Sequence, residues 1–198
     1  MLTIHVADLL LPGGGREPVA GGAVAVQGRE IVAVGPYEEL VAAYPGARVR
    51  RWPGVLAPGL FQPDGPGLLE RTYHPDPREA AELGSAPITG DALAALAMTD
   101  TRWGASARRG VQRMLAHGTV AVAGPFTRPT VRTAVARSGL RVGEAGRAGL
   151  VAGGPADFAV FDVPVDEMDE VPERALRLDG AGGCVATVLG GRLVYRRA

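Results

Sequence analysis

Apolar residues along this chain fall in short blocks separated by Gly and Pro, and their period changes from block to block. Residues 2–11 (LTIHVADLLL) read as a strand, closed by Pro12 and the glycines 13–15. Residues 23–27 (AVAVQ) and 30–34 (EIVAV) are two short strands meeting at Gly28 and Arg29, a hairpin signal. Helical spacing follows in 37–44, with Leu40, Val41 and Tyr44 on one side, and 48–52 and 55–57 return to extended structure. From 62 to 90 the pattern loosens around Pro63, Pro66, Pro75, Pro77 and Pro87, with short helices expected at 67–73 and 78–83. Thr89 or Asp91 is placed to cap a helix at 91–97. Residues 106–117 form an amphipathic helix, with Val111, Met114 and Leu115 on one face and Arg108, Arg109 and Arg113 mostly on another. Gly118 ends it.

A buried strand at 119–123 follows, then a helix at 130–138 ended by Gly139 and a strand from 140 to 142. Strand, helix, strand, helix, strand across 59–142 is the pattern of consecutive βα units. Beyond a turn at 151–155, a strand at 157–162 and a hairpin around Gly190 and Gly191 restore extended structure. Asp157 reads as a turn or strand-edge residue bonded to its own backbone. The expected fold class is α/β with mixed α+β character: 1–58 and 143–198 form one β domain, and 59–142 is a βα insert.

Composition narrows the function classes. With 46% apolar residues the 198-residue chain can bury a core. Zero net charge leaves no overall footprint for nucleic acid or an anionic membrane. No apolar run has membrane-spanning length, and MLTIHVADLL lacks the basic start of a signal peptide. The single Cys184 excludes an internal disulfide framework and fits a cytoplasmic protein. The chain has no Lys and no Asn, as coding bias in a GC-rich bacterial genome would produce. It therefore has no lysine for a carbamylated metal bridge, a Schiff base or a phosphate-binding loop.

Candidate chemistry concentrates in the proline-rich stretch. Asp64, His74, Asp76 and Arg102 are the candidate pocket residues, and Arg71, Arg78, Arg102 and Trp103 suit an anionic aromatic ligand. Equally, 62–90 with 99–103 reads as a surface loop over an open sheet edge. Asp64 and His74 are possible metal ligands by type, but spacing alone does not make three or four donors converge, so no metal is expected. No cofactor motif is present: HExxH, CxxC, GxSxG and GxxxxGK are all missing. His5 reads as a surface or half-buried strand residue, and His117 as a helix C-terminal residue favoured by the helix dipole.

The segment VLAPGLFQPDGP, 55–66, together with GREIVAVGPYEEL, HGTVAVAGP, VARSGLRV, GLVAGGPADFAVFD and ATVLGGRLVY, resembles the amidohydrolase superfamily of the imidazolonepropionase and aminofutalosine deaminase type. The resemblance implies a composite β-sandwich built from both chain ends and a βα-barrel remnant of two to three units. In that family the metal-binding histidine pair follows the PG-L segment. Asp64 and Pro66 hold those positions here. A complete (β/α)₈ barrel takes about 250 residues. The implied function is an amidohydrolase-like protein without metal chemistry, acting as a binding or accessory protein. The alternative is a hydrolase of non-peptide C–N bonds, in a cyclic amide or amino-purine type substrate, with a site rebuilt from Asp64, His74 and Asp76. An incomplete parallel sheet exposes its edges. A homodimer or another protein partner is therefore expected, with a small-molecule ligand possible.

Overall fold

The computed structural model describes residues 1–144, 149–163 and 183–198. Its secondary structure mixes strands and helices, and the chain divides into two compact units. One comprises Met1–Leu60, Leu115–Val120 and Gly146–Ala198; the other comprises Phe61–Met114 and Ala121–Ala145.

The first unit is built on one eight-stranded sheet. Its strands are β1 (Leu2–Leu10), β2 (Val19–Ala20), β3 (Gly22–Gln27), β4 (Glu30–Pro36), β5 (Arg48–Pro58), β9 (Phe158–Phe161), β10 (Cys184–Leu189) and β11 (Arg192–Arg196). The order is β11-β10-β9-β5-β1-β3-β4, with β2 beside β1, so both chain ends contribute to it. β1 and β5 are parallel, and the other described pairs are antiparallel. The two expected strands at 48–52 and 55–57 are one bent strand. It passes the bend at Gly54, whose φ is +68° and whose added Cβ would stand 2.3 Å from the Phe161 carbonyl oxygen. Only glycine fits there. Opposite the bend the β1 register shifts between Ala7 and Leu9, and Asp8 Oδ2 accepts the Gly54 N–H at 2.7 Å.

The bend curls the sheet into the composite sandwich. Leu10, Val24, Ile31, Trp52, Leu56, Phe158, Val160, Ala186 and Val188 share one core on its inner face. The two ends of the sheet meet: Ala156 N–H donates to Arg29 O at 2.9 Å, and Gly191 N–H donates to Ala156 O at 3.0 Å. The opposite face holds Leu9, Val55, Ala159 and Phe161 in one cluster and Ile4, Val6, Ala25 and Leu40 in another, Leu40 coming from α1 (Tyr37–Ala43). Because β1 is buried on both faces, His5 is only 3% exposed and is not a surface residue. Its Nδ1 accepts the Trp52 indole N–H at 3.2 Å.

A separate three-stranded sheet has the order β6 (Leu60–Gln62), β7 (Thr119–Val122), β8 (Arg141–Val142), with β7 and β8 parallel. Between β6 and β7 lie α2 (Gly65–Glu70), a 3₁₀ turn (Pro77–Glu79), α3 (Ala80–Leu83), α4 (Gly90–Ala94) and α5 (Asp100–Ala116); α6 (Pro129–Ser138) joins β7 to β8. Three helices differ from expectation. α4 is shorter, ending at Ala94 where 97 was expected. α2 starts earlier than the expected 67–73, because Asp64 caps it and Pro66 is tolerated in its first turn. α5 starts at Asp100, so 99–103 is not a loop: Thr99 Oγ1 accepts the Arg102 N–H at 3.2 Å. Trp103, Ala107, Val111 and Met114 form its buried stripe.

Candidate functional site

The four candidate residues all lie in the second unit, and each is engaged locally. Asp64 is a helix cap: its Oδ1 accepts the Gly67 N–H at 2.8 Å and an Arg71 guanidinium N–H at 3.1 Å. Both partners of that ion pair are largely exposed, so it stabilises the fold little. Asp76 caps the 3₁₀ turn in a capping box with Glu79, and its Oδ2 accepts from Arg109 at 3.2 Å. Arg109 also donates to the His74 carbonyl at 2.8 Å. That places Asp76 and His74 on one arginine.

His74 is buried against α5, where Gly110 leaves room for its ring. Its backbone N–H donates to Ser106 Oγ at 2.9 Å, and its Nε2 lies 2.9 Å from Leu68 O. A carbonyl can only accept, so Nε2 carries the proton and Nδ1 is left as the free lone pair. Nδ1 is buried and has no hydrogen-bond partner. Burial, outweighing the hydrogen bond to Leu68 O, holds the His74 pKa below its usual value, with the Arg113 and Arg109 charges adding to the effect.

Arg102 belongs to a different cluster, centred on Tyr73. Its Nε donates to the Tyr73 hydroxyl at 3.2 Å and its Nη2 to Glu79 Oε1 at 2.9 Å. The Tyr73 hydroxyl donates to Glu79 Oε2 at 2.5 Å. Burial of Tyr73, then its bond to Glu79, raises the phenol pKa. The same bond is the largest cause holding the Glu79 carboxyl below its usual range. The Arg102 and Arg109 guanidinium carbons lie 4.7 and 5.8 Å from the Tyr73 ring centroid. This network pins the loop 71–79 to α5. Its legible trace is the Asp76-Pro-Arg-Glu79 capping box, but the reach of 23 to 29 residues from Arg102 to Glu79 and Tyr73 has no local signal.

Glu70 is a further acid of the proline-rich stretch, and it is 9% exposed. It accepts from Thr127 Oγ1 at 2.9 Å and from the Arg128 N–H at 2.6 Å, holding the loop after β7. Trp103 is buried beneath Arg128, whose guanidinium carbon is 4.4 Å from the Trp103 ring centroid, so it is not an open stacking surface.

Among the described residues, no group of three or more His, Cys, Asp or Glu could hold a metal ion. At the positions where the resemblance calls for a histidine pair, Asp64 is committed to capping α2, and the Pro66 side chain has no donor atom. The residues present do not fit the family's metal. No described helix is long and apolar enough to cross a membrane.

Residues 22–47 match the family model described as the imidazolonepropionase-like composite domain, bacteria. No curated protein sequence matches the chain. Similar solved structures include ochratoxinase from A. niger, at 22% identity over 71% of this chain and 30% of that one, TM-score 0.49. They also include aminofutalosine deaminase from Helicobacter pylori, at 15% identity over 72% and 32%, TM-score 0.46. A third is guanine deaminase from Bradyrhizobium japonicum, at 17% identity over 89% and 39%, TM-score 0.46. The chain thus spans about a third of the length of the proteins it is similar to.

Proposed function

We propose that this chain, imidazolonepropionase-like over residues 22–47, is an amidohydrolase-type protein that does no metal-dependent hydrolysis and works as a binding or accessory protein. The observation that carries the reading is Asp64. Its carboxylate closes the first turn of α2, and its neighbour in the expected ligand pair is Pro66. Hydrolysis of a C–N bond in this family's manner needs a polarising metal and an activated water, and neither side chain supplies an imidazole for it.

The competing hydrolase reading needs Asp64, His74 and Asp76 to meet. Asp64 is paired with Arg71 and Asp76 with Arg109, while the His74 ring bonds Leu68 O, so nothing in this geometry favours it. A protein partner or second copy is part of the proposal. β8 is a two-residue edge strand with Val142 exposed, an arrangement that invites pairing.

The test is elemental analysis of the purified protein with assays on cyclic-amide and amino-purine substrates, with and without zinc. Substoichiometric metal and no zinc-dependent turnover are expected, with a size-exclusion mass of two chains or a stable partner complex. Near-stoichiometric metal, with turnover abolished by Asp64→Ala plus His74→Ala, would overturn the proposal.

A further inference from the structure

The inner face of the eight-stranded sheet ends, on one side, in arginines. Arg48, Arg50 and Trp52 alternate along β5 and so share a face, and Arg50 lies opposite His5 on β1. On β11, Arg196 lies opposite Ala186, a core residue of that same face. Its guanidinium carbon is 5.9 Å from the Trp52 ring centroid. The Trp52 and His5 rings lie nearly coplanar, joined edge to edge through the indole N–H, 6.1 Å between centroids and 7° between planes. Arg196 therefore lies by Trp52, and Arg48 and Arg50 stand on the same face along β5, near enough for their charges to act on His5 and for the charges of Arg48 and Arg196 to act on Arg50.

Nothing described balances their charge. The ion pairs among the described residues are Arg71 with Asp64, Arg102 with Glu79 and Arg109 with Asp76, and none involves Arg48, Arg50 or Arg196. Partial burial, then the charges of Arg48 and Arg196, lower the Arg50 pKa. Like charges held together oppose folding, and such a concentration of positive potential favours an arriving anion.

We propose that Arg48, Arg50 and Arg196 form a binding site for a phosphate-class oxyanion beside Trp52, inorganic phosphate or a phosphomonoester. Guanidinium groups suit this ligand because each offers a planar pair of N–H donors that matches two phosphate oxygens. Arg50, half-buried where Arg48 is exposed, supplies a contact less screened by water. The site is independent of the metal question, since none of its residues lies in the 62–90 stretch.

The full chain is titrated with inorganic phosphate and with phenyl phosphate at low ionic strength, following tryptophan fluorescence and melting temperature. A saturable change with either ligand is expected, since Trp52 reports on the site. The Arg48→Gln, Arg50→Gln, Arg196→Gln triple variant should weaken it by about tenfold or more, as loss of charged hydrogen bonds implies. The Arg71→Gln, Arg78→Gln variant should leave it unchanged. Binding of phenyl phosphate alone would assign the site to phosphomonoesters, and equal binding of both to the phosphate group itself. Without ligand, the triple variant should melt no lower than the parent. No saturable response, an equal response in the triple variant, or a clear drop in its ligand-free melting temperature would each overturn the proposal, the last by showing that the arginines already have partners within the chain.

Discussion

Asp157 Oδ1 accepts the Gly190 N–H at 2.7 Å, across 33 residues of sequence. The carboxylate therefore ties the start of β9 to the turn between β10 and β11, where its sequence neighbourhood suggested a bond to its own backbone. It is 7% exposed, so removing it leaves a sheltered N–H without its acceptor. Asp157→Ala should cost about 2 kcal/mol, the range for a charged hydrogen bond with an orphaned partner. Asp157→Asn should recover part of that, because an amide oxygen still accepts. Urea denaturation of both variants measures the difference. Equal stability of all three proteins would mean that the bond does not hold the turn.

The bend at Gly54 makes a second prediction. At a φ of +68°, an added Cβ meets the Phe161 carbonyl oxygen, the Val163 nitrogen and the Asp162 Cα, all backbone atoms that cannot rotate away. Gly54→Ala should destabilise the first unit by at least about 2 kcal/mol, combining left-handed strain with the clash. Gly28→Ala has a similar φ of +64° but open space around it, and should cost about 1 kcal/mol. Melting temperatures in that order support the bend as the closure of the sheet; the reverse order counts against it.

Stability should fall on mild acidification, and His5 is a named cause. Burial, with smaller contributions from the Arg50 and Arg48 charges, lowers its pKa from 6.5 to about 4. The folded pKa is below the unfolded one, so the unfolded chain binds a proton first as pH drops. The contribution is whole above about pH 6.5 and is lost as pH falls toward 4, amounting to about 3 kcal/mol. His74 has the same sign, since burial also lowers its pKa. His5→Leu should therefore flatten, without abolishing, the slope of unfolding free energy between pH 6.5 and 4. An unchanged slope would mean that the His5 ring is protonated in the folded protein.

The elements that the residue pattern made legible are those with local causes. The hairpins at Gly28–Arg29 and Gly190–Gly191, and the helix stops at Gly118 and Gly139, follow from positive-φ glycines next to periodic segments. Near its start α5 holds Gly104, a poor helix former whose place in the helix has a tertiary cause. In the fold it lets Thr130 approach, with an added Cβ 3.3 Å from the Thr130 Cβ. His5 was misplaced because alternation marks a strand's two faces but not that both are buried. The candidate residues all fall in one unit, but their partners were not legible. Arg102 finds Tyr73 and Asp76 finds Arg109 through tertiary contacts 29 and 33 residues apart, which no spacing rule encodes. Trp52 with His5, 47 residues apart, was out of reach for the same reason.

Asp64 decides between a structural and a chemical role for the segment after β6. As an N-cap whose carboxylate accepts the Gly67 N–H, it should tolerate Asn and resist Ala: Asp64→Asn near-neutral, Asp64→Ala costing about 1 kcal/mol. Its second bond, to Arg71, runs between side chains 66% and 63% exposed, and Arg71→Ala should change stability by less than about 0.5 kcal/mol. A residue placed for chemistry reverses that ranking, because a carboxylate held for function is usually neutral or costly to stability. Thermal and urea unfolding of Asp64→Asn, Asp64→Ala and Arg71→Ala checks it. If Asp64→Ala is as stable as the parent or more so, the cap is dispensable, the carboxylate is held at that position for some other purpose, and the proposal that α2 needs it falls.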